Sequence, residues 1–428
     1  MNPLNNELTR LARDGERHYE AVAEAPPNYV DDFVGGVARA RRRRQSGVVA
    51  AAVVALGIVA SVGLLSRPDA VPATPPGHLL WTAQLGADAW AAPAVANGLV
   101  VAAGTDGTVH AFDERTGEPR WIADVRGAVR GGVAAADGDF LVVTDSGYLT
   151  RLDANGAEVW RVPAGTAVLE RDIYDQTAPT PLVVSDAALG EIVVLGGRDR
   201  MVRAFDLATG DERWNVFAGA AVSASATAAD GVVFVGDHAG TMHALALADG
   251  AEVWTAELLH EIVTSPAVVG DVLVTGTRGT EILGLDTATG ERRWAVSLGS
   301  SWAESSVDTD GVTAYAGSSS LGEVLAIDAA TGAVRWRAHV GGWPWARPTV
   351  ADGRVFAVTA WTERAATPAA SLQALATATG APVWTATTGG PSTWVPDGVA
   401  SGIMASPTVG EGFVAVVALD GTVTAYSR

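Results

Sequence analysis

Few residues in this chain have the chemistry to act, and they are widely spaced. Glu170, Asp172 and Asp175 place three carboxylates within six positions, a pattern that could hold a hard cation. Three solvated loop carboxylates are the simpler account, so no metal is expected. Asp237-His238 and His260-Glu261 each set an imidazole beside a carboxylate, as a general base requires. No nucleophile stands at a known spacing from either pair, so no catalytic residue is assigned. Six tryptophans, Trp90, Trp302, Trp343, Trp345, Trp361 and Trp394, offer flat apolar rings on which an extended peptide or a glycan could stack. The competing account is that these rings plug the centre of the fold or pack against the long loops 361–371 and 385–404.

The elements that would carry these side chains follow from a repeat. The stretch Ala111-Phe-Asp-Glu-Arg-Thr-Gly-Glu-Pro-Arg-Trp121 reads as a strand, a tight turn and a second strand closed by a tryptophan. Thr116-Gly117 supplies the left-handed backbone of the turn, and Asp113 can accept hydrogen bonds from the turn amides. Versions recur at 152–156, 204–210, 244–250, 284–290, 326–332 and 374–380. Their tryptophans, Trp81, Trp121, Trp160, Trp214, Trp254, Trp294, Trp336 and Trp384, are separated by 40, 39, 54, 40, 40, 42 and 48 residues. Ahead of each turn lies a strand pair, as in 93–98 leading into 99–103, so each unit is four short antiparallel strands. Such a sheet cannot bury both faces alone, and its copies must stack radially into a β-propeller.

The last unit, 405–428, supplies three strands and ends where a tryptophan strand should follow. That strand lies at 79–85, so the predicted fold is all-β, an eight-bladed propeller over 78–428 in which 79–85 pairs with 405–428 and leaves no open edge. In this topology the connections between blades, and those between second and third strands, emerge on one face. All six non-repeat tryptophans fall in such connections. Those entering blades six, seven, eight and one are neighbours around the ring, which predicts an aromatic arc over one side of that face.

Before the propeller, Gly47 to Ser66 run for twenty residues without a charge, enough for a helix about 30 Å long that spans a bilayer. Arg39 and Arg41 to Arg44 precede it and place 1–46 in the cytoplasm by the positive-inside rule. The expected arrangement is therefore a short cytoplasmic tail, mostly disordered or in short helices (1–46), one transmembrane helix (47–66), a proline-rich linker (67–77) and an extracytoplasmic propeller at the cell membrane. Within the tail, Val30, Phe33, Val34 and Val37 form one apolar stripe that could dock a cytoplasmic partner. Of the formal charge of −19, the region beyond residue 46 carries −20, which disfavours nucleic acid as a partner. There is no cysteine, so disulfides, thiolate ligands and a lipidated-cysteine anchor are all excluded.

The pattern Ala-x-Asp-x-x-Thr-Gly-x-x-x-Trp resembles the tryptophan-docking motif of PQQ-repeat, quinoprotein alcohol dehydrogenase-like eight-bladed propellers, over residues 79–428. The resemblance implies one of several functions: a quinone-dependent dehydrogenase, a scaffold like that of the outer-membrane barrel-assembly machinery, or a sensor propeller. Such dehydrogenases stack the quinone on a disulfide beside a calcium ion. With no cysteine, this chain is expected to bind neither PQQ nor calcium. A tail of 46 residues is too short to hold a kinase domain. The reading taken forward is a non-enzymatic scaffold that binds an envelope protein or cell-wall glycan; the alternatives are a quinone-dependent enzyme and a transmembrane sensor signalling through its tail.

Overall fold

The computed structural model describes residues 74–165, 178–299, 301, 303–318, 321–362, 371–388 and 399–428. The tail over 1–46, the helix expected over 47–66 and most of the linker lie outside these residues. Among the described residues no helix is long and apolar enough to cross a membrane.

Eight antiparallel sheets form the ring, seven of them with their four main strands hydrogen-bonded in chain order from the centre outward and the eighth completed by the first strand of the chain. In the first blade the strands are Ala94–Ala96, Leu99–Ala103, Thr108–Asp113 and Pro119–Asp124. The second and third strands are almost continuously apolar because both of their faces press on neighbouring blades; every residue of Leu99–Ala103 is buried. The outer strand Pro119–Asp124 alternates exposed and half-buried positions, as expected for a strand with one face in water. In the eighth blade Leu79–Gln84 pairs with the last strand, Thr422–Ser427, with Trp81 opposite Ala425. The predicted closure is therefore present. The seventh blade carries an extra strand that the repeat does not announce. Its second strand runs on to Thr362, and there Val399–Gly402 pairs with it inside a stretch expected to be loop.

The repeat tryptophans fasten blade to blade. Indole nitrogens of Trp81, Trp121, Trp160, Trp214, Trp254, Trp294 and Trp336 donate to the carbonyls of Glu114, Ala154, Leu207, Leu247, Thr287, Ala329 and Thr377 in the next blade, at 2.7–2.9 Å. Asp113 Oδ1 accepts from the amides of Arg115 and Thr116, both at 3.0 Å, as expected. Its second oxygen meets Arg120, and the pair, with the turn amides, holds the Asp113 carboxyl down at about 2. The same aspartate-to-arginine step of seven residues recurs at Asp206–Arg213, Asp286–Arg293 and Asp328–Arg335.

At the seam the fastener differs. Trp384 sits on Gly77, just ahead of the closing strand, where a Cβ would come within 2.8 Å of the ring and φ is +78°. Its indole nitrogen is buried with no acceptor among the described residues. Trp384→Phe is therefore expected to destabilise the protein less than Trp254→Phe. The difference should be about 1–2 kcal/mol, since only the second change breaks a made hydrogen bond. Chemical denaturation of the two variants measures it, and equal losses would refute the orphan donor.

Candidate functional site

The first strands of all eight blades surround a central channel with a cavity of about 540 Å³. Its mouth has a fixed grammar. The residue four places before each first strand lines the channel: Trp90, Arg130, Ala178, Ser223, Val263, Glu304, Trp345 and Met404, in blade order. In blades one, two, four, five and eight, the residue fifteen later lies in the loop between second and third strands, and in blade seven it is Ala360 on the extended second strand. The amides of Thr105, Asp145, His238, Arg278, Ala360 and Leu419 donate to the carbonyls of Asp88, Ala128, Ala221, Glu261, Trp343 and Gly402, each seventeen residues earlier. These bonds lash the two loop types together on one face, as the topology predicts.

Side chains at the paired positions then decide the character of the mouth. Arg130 meets Asp145 at 2.9 Å, and Ser223 Oγ meets His238 Nε2 at 2.7 Å. Arg278 bridges Glu261 at 2.6 Å and the buried Glu304 carboxylate at 3.4 Å. On the opposite side the ring turns apolar. Trp90, Ala360, Met404 and Leu419 form a buried cluster with Trp343 and Trp345 packed on it. The Trp343 and Trp345 rings lie 6.0 Å apart and tilted by 38°. The channel mouth thus carries polar pairings at blades two, four, five and six and an apolar, tryptophan-rich side over blades seven, eight and one.

The sequence-derived candidates divide accordingly. Trp90 is only 6% exposed and forms the floor of the aromatic side, whereas Trp343 and Trp345 are half-buried and reach its surface. Trp361 lies on the extended second strand of blade seven, its backbone opposite Ser401. Trp302, Trp394 and the three carboxylates Glu170, Asp172 and Asp175 lie outside the described residues. Asp237 does not orient His238: its carboxylate accepts from the amides of Ala239 and Thr241 and faces His243 Nε2 at 3.2 Å. Ser223 is a partner for His238 that no spacing rule announced. Because it repeats the loop pairing seen at Arg130–Asp145, its first role is to hold the mouth together.

A quinone stacked on a disulfide beside calcium does not fit these residues. The chain has no cysteine, and among the described residues no three His, Asp or Glu side chains converge. One carboxylate near the channel is perturbed. Burial pushes the Asp308 carboxyl above its ordinary range, partly offset by Arg347 and by the Val350 amide that donates to it at 2.8 Å.

Known proteins share this architecture. The structure of BamB from Moraxella catarrhalis superposes with a TM-score of 0.61 at 22% identity, over 82% of this chain and 97% of that one. The quinohemoprotein alcohol dehydrogenase ADHIIG from Pseudomonas putida HK5 does so with a TM-score of 0.58 at 16% identity, over 82% and 76%. At these identities the likeness is one of fold. The serine/threonine-protein kinase AfsK of Streptomyces coelicolor is 29% identical over 183 residues, 36% of this chain, and the match spans only 22% of the kinase's length. Residues 37–124, 105–198, 198–321 and 302–395 each match the sequence profile of one family, and the chain belongs to it: the PQQ-repeat family described as outer membrane protein assembly factor BamB.

Proposed function

We propose that the chain is a non-enzymatic scaffold of the cell envelope that captures an envelope protein or cell-wall glycan on the aromatic side of its channel mouth. It needs neither quinone nor calcium. A membrane helix over 47–66 holds it, with 1–46 in the cytoplasm and the propeller outside. The observation that carries the reading is the Trp343–Trp345 pair, two half-buried rings at the rim backed by the buried Trp90. Rings held rigidly by a packed floor bind with little ordering cost, which is why such positions dominate interface energetics. Family membership supports a scaffold role, and the absence of any cysteine argues against the quinone-binding branch.

Crosslinking of the full-length protein in its own membranes identifies the partner and tests the site. The double change Trp343→Ala and Trp345→Ala is expected to weaken capture by about 2 kcal/mol or more, roughly thirtyfold, while the propeller stays folded. Unchanged capture by a folded double variant would move the site elsewhere.

A further inference from the structure

Two residues deeper than the mouth, a second ring of side chains lines the channel: Ala92, Gly132, Thr180, Ser225, Ser265, Ser306, Arg347 and Ser406, each two places before a first strand. Four consecutive blades, three to six, carry hydroxyls here, and a relay links them. The Gly132 amide donates to Thr180 Oγ1 at 3.0 Å, and the Thr180 amide to Ser225 Oγ at 2.8 Å. The Ser225 amide donates to Ser265 Oγ at 3.0 Å, and the Ser265 amide to Ser306 Oγ at 2.9 Å. The relay ties the inner strands together, and it also fixes what the hydroxyls can still do. Each has one proton and two lone pairs. An amide N–H can only donate, so every one of these contacts consumes a lone pair and leaves the proton free. Among the described residues none of the four hydroxyls donates to a protein acceptor, and all four are half-buried against the channel.

The next blade continues the series with a stronger donor. Arg347 occupies the same register, is exposed to the channel, and makes no hydrogen bond or ion pair with a described residue. The nearby acids are Glu304 and Asp308, and Arg347 acts on Asp308 through its charge alone, without a hydrogen bond or ion pair. Glu304 is buried against Arg278, and Asp308 accepts from the Val350 amide and is not among the residues that line the cavity.

We propose that the channel binds a small solute bearing an oxyanion, a carboxylate or a phosphate, between Arg347 and the hydroxyl arc of Thr180, Ser225, Ser265 and Ser306. Five adjacent positions offer protons into one cavity, and a ligand rich in acceptors is their complement. The guanidinium supplies a two-pronged contact to one pair of oxygens, and the arc supplies single donors to the remainder. A cavity of about 540 Å³ suits a solute of this size. The site lies below the mouth and does not depend on what the tryptophans capture above it.

Titration calorimetry on the purified full-length protein, with citrate and with inorganic phosphate as separate probes, tests the assignment. One-to-one binding of citrate alone identifies a carboxylate solute, of phosphate alone a phosphate, and of both an oxyanion site that reads charge and shape only; each supports the proposal. Arg347→Gln, at a side chain with no hydrogen bond to a described residue, is expected to weaken binding by about tenfold or more. Arg347→Lys should recover part of it by keeping the charge without the fork. Binding of neither probe at millimolar concentration, or equal binding by wild type and Arg347→Gln, would overturn it.

Discussion

Replacing Trp254 with alanine is expected to lower the stability of the propeller by about 3–5 kcal/mol, the range for truncating a large buried aromatic side chain. Trp254 is 8% exposed and lies between the fourth and fifth blades, packed with Phe234, Leu273 and Leu285. Its ring stands 5.8 Å from that of Phe234. Three losses coincide on truncation. The ring leaves a cavity between two sheets, its nitrogen no longer satisfies the Thr287 carbonyl at 2.9 Å, and the turn it rests on loses its support. That turn is fitted to the indole: Gly290 has φ +74°, and a Cβ there would come within 2.6 Å of the Trp254 ring. Gly290→Ala attacks the same joint from the other side through backbone strain and overlap, and the two changes should be less than additive because they share one contact. Urea denaturation followed by circular dichroism measures both. A loss under about 1 kcal/mol for Trp254→Ala would show that the fasteners are dispensable.

Deleting the closing strand Leu79–Gln84 is expected to cost more than any single substitution. The strand holds Thr422–Ser427 from the opposite end of the propeller, and Trp81 and Leu85 pack into the core shared by the eighth and first blades. Without it, Thr422–Ser427 presents a long unpaired edge, the kind of surface that recruits other chains. The expected result is a shift to larger species than the wild type on size-exclusion chromatography and loss of a single cooperative unfolding transition. A synthetic peptide covering 75–88 should reverse both, because Ser427 contacts the backbone of Pro75 and His78 as well as the strand register. A deletion variant that elutes as the wild type does and unfolds at the wild-type midpoint would mean that the ring does not need its clasp.

The architecture was legible because the blades report themselves twice, in the spacing of their tryptophans and in a turn that is a full Asp-x-x-Thr-Gly at Asp113, Asp206, Asp286 and Asp328 and a degenerate version of it at 153–156, 246–250 and 376–380. Even the closing strand followed from counting, since a tryptophan strand was missing at one end and present at the other. The mouth was harder to read. Its pairings join residues fifteen apart in two loops, and neither strand nor helix periodicity reports that distance. Ser223 opposite His238 and Arg130 opposite Asp145 are therefore invisible to a linear reading, as is the bridge from Arg278 to Glu304 of the next blade. So is the hydroxyl relay, which becomes apparent only when Thr180, Ser225, Ser265 and Ser306 are placed in one register. The aspartate-to-arginine step of seven residues was present in the motif itself at Asp113 and Arg120. It lay hidden behind the tryptophan beside it. Trp90 shows the opposite failure: its position in the arc is as expected, yet burial among Met404 and Leu419 makes it a floor and not a contact surface.

The lashing of the mouth by backbone amides has an evolutionary corollary. Since main-chain bonds hold the paired loops in register, the side chains they display are free of structural duty at the backbone level and can change one blade at a time. In the six blades so lashed, the mouth then behaves like a word written on a fixed ruler. A lineage can respell it, turning a charged letter aromatic or the reverse, without redesigning the ring that carries it.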